Sequence, residues 1–378
     1  MEVSCLQQNL SRGLAIVGRA VASRSNLPVL QNVKIATSDG MLVLTGTNLD
    51  IAITTKIGAE VIEEGEVTIP ARLLSDFINS LPDDRIHISS TVQPLGVTLK
   101  CRRFEANING TDPFEFPPIP TINDGSTIKI ESQLLKETVN YVAFAAATED
   151  SRPVLTGIKV EVKDDDFTFA AADGFRLAVY KGKLIDSING EMEFIIPAKS
   201  MHEIGRLINS DNYPVEFTIT SAGTHALFVI GSVEIVSQLM PGAFPNYKTL
   251  IPDDYKNQVV MDHSEFSSAV KTASIFARDG SGILRIQIYK NDDGAGLAIS
   301  SRAEELGDNQ GEIDGRVEGI VDEESRIAFN NKYLADVLDV LDKGEIVFEM
   351  TSASSPGVIR SVDKSGYTHV VMPMFVQW

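Results

Sequence analysis

Ile69-Pro70-Ala71-Arg72-Leu73-Leu74-Ser75-Asp76-Phe77-Ile78 is written again as Ile196-Pro197-Ala198-Lys199-Ser200-Met201-His202-Glu203-Ile204-Gly205, and a third time as Phe329-Asn330-Asn331-Lys332-Tyr333-Leu334-Ala335-Asp336-Val337-Leu338. The copies begin 127 and 133 residues apart, about one third of the 378-residue chain. A long fixed period marks a chain assembled from one supersecondary unit used repeatedly, so three modules are predicted. Within each copy a strand-like lead (66–69, 193–196, 326–329) runs into a helix. Its apolar positions, 74, 77, 78 and 81, then 201, 204 and 208, then 334, 337, 338 and 341, keep the spacing of one buried helical face. Alternating stretches follow at 85–88, 215–219 and 345–350 and read as half-buried strands.

The front halves repeat as well. Leu27-Pro28-Val29-Leu30-Gln31-Asn32-Val33 resembles Arg152-Pro153-Val154-Leu155-Thr156-Gly157-Ile158 and, more distantly, Gly282-Ile283-Leu284-Arg285-Ile286. Helix-like segments precede them at about 6–22, 132–147 and 264–277. The proline-rich stretch 113–120 and the stretch 241–254 punctuate the joins, which sets the modules at 1–125, 126–254 and 255–378. Each module reads helix, strands, helix, strands. That order predicts an α+β fold of three tandem similar modules, each with two helices packed on one side of β-sheets.

Composition narrows the function. The chain is 43% hydrophobic and 22% charged, with a formal net charge of −19. The modules carry −4, −7 and −8, so none is basic and bulk attraction to nucleic acid or anionic membrane is excluded. Contact with DNA then requires a local basic surface. No stretch approaches the roughly 20 apolar residues of a membrane span. Cys5 and Cys101 are too few for a disulfide framework or a thiolate metal site, and a soluble cytoplasmic protein is expected.

The cations follow the repeat. Arg72, Lys199 and Lys332 share one register position just inside the N-termini of the three equivalent helices, where the helix dipole offers a cation nothing. Arg12 and Arg19 are seven apart, as are Lys271 and Arg278, so each pair shares a helical face, whereas the middle module has Asn140 and Ala147 there. Residues 3–36 contain Arg12, Arg19, Arg24 and Lys34 and no acid. Any one of these reads most simply as a solvated helix residue. Their shared register instead suggests a sparsely positive helical surface that touches phosphates without reading bases.

Several further segments give the chain a family resemblance: Leu27-Pro28-Val29-Leu30, Ala171-Ala172-Asp173-Gly174-Phe175-Arg176-Leu177-Ala178, Phe244-Pro245-Asn246-Tyr247 and Val370-Val371-Met372-Pro373-Met374. Over its whole length it resembles the bacterial DNA polymerase III beta subunits, the DNA sliding clamps. The resemblance implies a head-to-tail homodimer closed into a ring of six like modules, with helices lining the hole. Such a ring encircles double-stranded DNA without sequence preference. It would tether the DNA polymerase III catalytic subunit and be opened by a separate clamp loader. Other polymerases and repair proteins would dock on it through short peptide motifs.

The resemblance also assigns residues. DNA contacts fall on Arg24 and Arg152, joining Arg72, Lys199, Lys271, Arg278 and Lys332. The peptide pocket would be lined by Leu155, Ala172, Gly174, Phe175, Arg176, Leu177, Pro245, Leu250, Val371, Met372, Pro373 and Met374. Flexible methionines suit a pocket that accepts several partners. The dimer joint would use Phe104 and Ile108 on one side and Ile275 and Phe276 on the other. Three features depart from the family: Phe175 replaces a common His, Val154 a frequent aromatic, and the chain runs on as Phe375-Val376-Gln377-Trp378.

Catalytic signatures were sought too. The chain has no GxxxxGK[ST] phosphate loop, Gly294-Ala295-Gly296 is followed by Ile299 where a third glycine would stand, and His202-Glu203 is followed by Arg206 in place of a second His. Asp164-Asp165-Asp166 and Asp292-Asp293 read as solvated turns. No cofactor, metal or enzymatic activity is expected. The competing readings are a repeat-built peptide adaptor that never encircles DNA and, less favoured, a carbohydrate or nucleotide enzyme using the acidic loops.

Overall fold

The computed structural model describes residues 1–149, 151–208, 213–278, 280–292 and 294–377. Among the described residues there are six α-helices: α1 Gln7–Val17, α2 Ala71–Ser80, α3 Ser132–Val142, α4 Ala198–Leu207, α5 His263–Arg278 and α6 Asn331–Val340. The repeated decapeptides supply α2, α4 and α6, each entered directly from a strand. The predicted apolar face is buried: Leu74 and Ile78, Met201 and Ile204, and Leu334, Val337 and Leu338 are all at most 1% exposed. Phe77 alone stays half-exposed.

Helix starts follow from capping. Asn330 Oδ1 accepts from Lys332 N at 2.9 Å, and Asp262 Oδ1 accepts from Ser264 N and Glu265 N at 2.8 and 3.1 Å. Both satisfy amides that the helix itself leaves unpaired. Two helices end earlier than their apolar pattern suggested. α1 stops at Val17, before Gly18, and the Ala22 amide goes to Leu30 O at 3.0 Å. α3 stops at Val142, tightens into a 3₁₀ turn over Ala143–Ala145, and the Ala147 amide goes to Leu155 O at 2.8 Å. The repeated prolines explain the likeness: Pro28–Gln31 and Pro153–Thr156 both form 3₁₀ turns that return a leucine carbonyl to the preceding segment. The third copy, Gly282-Ile283-Leu284, lacks the proline and enters a strand at Ile283.

The chain forms two compact units, and their division runs through the middle of the predicted second module. One unit comprises 1–135 with 203–239, the other 136–202 with 240–378. Strand pairing is the reason. In the first unit, Val233–Gln238 pairs antiparallel with Ile51–Gly58, with Val233 opposite Thr55 and Ser237 opposite Ile51. One eight-stranded sheet therefore combines strands of the first and second modules. The unit also holds a five-stranded sheet whose outer edge is Phe104–Asn109.

In the second unit, Arg176–Lys183 pairs antiparallel with Tyr367–Val371, with Arg176 opposite Val371. This joins second-module and third-module strands into a nine-stranded sheet. A four-stranded sheet accompanies it, edged by Gly307–Asp314. The Asp164–Asp166 stretch is a turn in which Lys183 bridges Asp165 and Asp166 at 2.9 and 2.8 Å, while Asp293 lies outside the described residues.

Candidate nucleic-acid and peptide interfaces

Arg72, Lys199 and Lys332 each occupy the second position of their helix, with exposed side chains. Arg72 lies 3.9 Å from Asp76 one turn along, an almost fully solvated pair of little energetic weight. Lys199, Lys332 and Arg24 make no ion pair among the described residues. Arg24 lies in the polar turn after α1, and Arg278 ends α5, where a cation does complement the helix dipole. Lys271 on α5 reaches Asp339 on α6 at 2.9 Å, both more than half exposed. Most of these cations are therefore solvent-exposed.

Arg152 is different. Its Nη2 donates to Asp173 O at 3.1 Å, and it shows no ion pair with Glu149; Asp150 lies outside the described residues. Its guanidinium lies on Gly174, where an added Cβ would come within 2.6 Å of Nη2. Gly174 also has φ +96°, the conformation that favours glycine there. Arg152, an expected DNA contact, thus also lies against the Asp173-Gly174 turn.

The expected peptide pocket starts from Asp173. Its carboxylate accepts from Phe175 N at 2.8 Å, from Arg176 N at 3.0 Å and from Arg176 Nε at 3.0 Å, which pins the turn. Arg176 then points inward and not into a cleft. Its side chain is 9% exposed, donating to Asp336 at 2.6 Å and to Phe144 O at 2.9 Å. The rings of Phe144 and Tyr333 hold it with centroids 5.3 and 4.9 Å away. Sequence reading named Arg176 but not its partners Phe144, Tyr333 and Asp336. Tyr333, next to Lys332 in the repeated decapeptide, was the available signal.

The other expected pocket residues separate into a buried set and a rim. Leu155, Ala172 and Leu177 are buried in one apolar cluster with Phe244, Tyr247, Val358 and Val370. Val371 is also buried, at 1% exposure. These four expected residues are buried. The rim carries the accessible ones: Phe175 at 58%, Leu250 at 41%, exposed Gly174 and Pro245, and half-buried Met372, Pro373 and Met374. Phe175 stacks on Tyr333 with ring centroids 6.2 Å apart. The C-terminal strap is held by its backbone, Met372 N to Phe175 O at 2.8 Å and Met374 N to Ala328 O at 2.7 Å. Its side chains stay available.

Two polar groups flank this surface, the half-buried Glu161 and the buried His369. Burial alone would raise the Glu161 carboxyl, but hydrogen bonds from Tyr247 and Lys248 and the charge of Lys159 outweigh it and hold the group below the usual range. His369, fully buried against Phe144 and Tyr367, is pushed down by burial and by the nearby Arg176 to about 3 and is neutral.

At the expected dimer joint, Phe104 and Ile275 are each 54% exposed and Phe276 is half-buried. Ile108 is only 5% exposed: it turns into its own module's core, so Phe104 alone of that pair projects. Sequence reading missed that both regions adjoin free sheet edges. Exposed Arg103 precedes the edge Phe104–Asn109, whereas the edge Gly307–Asp314 carries exposed Asp308 and Glu312 and follows exposed Glu304, Glu305 and Leu306.

Comparison with known proteins adds to this geometry. Family models described as the N-terminal, central and C-terminal domains of the DNA polymerase III beta subunit match residues 1–120, 129–246 and 248–375. The chain belongs to the DNA polymerase III beta subunit family. A beta sliding clamp of Bacillus subtilis is 30% identical over 384 residues, covering 99% of both chains, and one of Staphylococcus aureus is 29% identical over 365 residues, covering 94% of both. Crystal structures of a DNA polymerase sliding clamp from Bacillus subtilis and a DNA polymerase III beta subunit from Pseudomonas aeruginosa superpose with TM-score 0.92. They are 29% and 27% identical and cover both chains completely. The expected fold class, three tandem clamp modules, is thereby established. Among the described residues no helix is long and apolar enough to cross a membrane.

Proposed function

We propose that this chain is a DNA sliding clamp, a non-catalytic processivity factor that encircles double-stranded DNA and tethers a replicative polymerase. The observation that carries the reading is the end-to-end match of all three family domains, with relatives named beta sliding clamps along nearly the whole length. The modules, bounded near 125 and 254, would pair head to tail in a homodimer. Two free sheet edges support that pairing: one bears the exposed Phe104 between Arg103 and Glu105, and the other is acidic, with Glu304, Glu305, Asp308 and Glu312 along it. A repeated two-fold contact between unlike edges closes a ring without leaving an edge to polymerise.

Within the ring, Arg24, Arg72, Lys199, Lys271, Arg278 and Lys332 would touch phosphates, while the net charge of −19 keeps overall attraction weak. The rim of Phe175, Leu250, Met372 and Met374 would take short extended peptides from the polymerase III catalytic subunit, the clamp loader and other polymerases and repair proteins. An ATP-dependent loader would open the ring, in the cytoplasm at the replicating nucleoid. Light scattering at micromolar concentration is expected to give twice the chain mass, and Phe104→Arg to give the monomer. A wild-type monomer would remove the ring from this reading.

A further inference from the structure

We propose that a cleft in the first compact unit, beneath α1 and α4, binds one unstacked nucleotide of single-stranded DNA. The cleft holds about 470 Å³ and brings Arg12, Arg19 and Arg206 together with Tyr213. That volume suits a nucleotide-sized ligand. Glu203 organises the arginines: Arg19 Nη1 lies 3.1 Å from its Oε2, and Arg206 Nη1 lies 2.9 Å from its Oε1. One carboxylate thus fixes two guanidiniums while engaging one donor of each, leaving the rest of both forks for phosphate oxygens. Arg12 makes no ion pair among the described residues, so three cations face one carboxylate in a chain of net charge −19.

The remaining wall is largely apolar, with Ser132 and Ser232 and one aromatic ring. Tyr213 is 68% exposed at the mouth, with Ile16 and Ile230 also lining the cleft. A phosphate clamp beside an exposed ring is the combination that binds single strands, where bases are free to stack. Duplex DNA keeps its bases stacked and offers such a concavity only its backbone. The inference takes its ligand class from the DNA reading above and adds a strand state and a location.

The test uses the full-length protein and a fluorescent oligothymidylate of about twelve nucleotides, followed by anisotropy at low salt. Tyr213→Ala and Arg206→Ala are each expected to weaken binding about tenfold or more, and Glu203→Gln to tighten it about threefold. An oligomer of equal length lacking bases should bind the wild type as weakly as Tyr213→Ala binds the complete one. Unchanged affinity in Tyr213→Ala, or equal loss toward a duplex of the same length, overturns the proposal. Retention of the loaded ring on circular DNA is measured on the same variants. Retention by a wild type that shows no single-strand binding would refute this cleft alone and leave the clamp reading standing, whereas retention by variants that have lost single-strand binding is the expected result.

Discussion

The residues expected to touch DNA and those expected to hold a peptide are set into this protein in opposite ways. The cations at the helix starts, Arg72, Lys199 and Lys332, stand exposed, and their one recorded partner is the solvated Asp76. The surface beside Phe175 rests on Arg176, which is 9% exposed, bonded to two carboxylates and a carbonyl, and held between two rings. Loose cations suit a partner that slides, because no single phosphate position is favoured. A pinned turn suits a partner that docks, because the rim is already ordered when the peptide arrives.

Breaking the pinned side should give the largest effect. Arg176→Ala leaves Asp173 and Asp336 without their shared cation and should cost about 3 kcal/mol or more of stability in a denaturant titration, with loss of peptide binding. Removing residues 372–378 should leave the fold intact, since the final strand ends at Val371, yet lower affinity for a polymerase-derived peptide at least a hundredfold by calorimetry. Arg152→Ala lies between the two designs: it gives up the bond to Asp173 O, worth about 1 kcal/mol, and should weaken peptide binding modestly.

The pinned region should also have its own pH response. His369 stays neutral in the folded protein down to about 3, whereas the unfolded chain takes up that proton near 6.5. Between these values the unfolded state binds more protons, so the contribution is full above pH 6.5 and is lost as pH falls toward 3. The slope reaches about 1.4 kcal/mol per pH unit, and His369→Phe should flatten it in acid unfolding curves. The smallest effects belong to the loose side. Lys199→Ala and Lys332→Ala should each change stability by less than about 0.5 kcal/mol and lower the salt dependence of DNA contact by about one unit of slope.

Much of this contrast was legible before the structure. Repetition of the Ile69–Ile78 pattern gave the three modules, three of the helices and their buried faces, because helical periodicity is a local property. The division of the middle module between two sheets was not legible, since pairing of Val233–Gln238 with Ile51–Gly58 links residues far apart in sequence. For the same reason the burial of Leu155, Leu177 and Val371, beside the exposed Phe175 and Leu250, is set by the fold and not by local sequence. Ile108 shows the limit on one strand: sequence marks it as apolar, but only the fold tells whether it faces the core or a partner.

The central claim is that closure, and not attraction, keeps this acidic protein on DNA. It is tested most directly by loading the protein on a nicked circle, cutting the circle once, and following the protein by gel filtration. The account predicts retention on the circle and rapid loss once free ends exist. Equal retention on the linear product would contradict it.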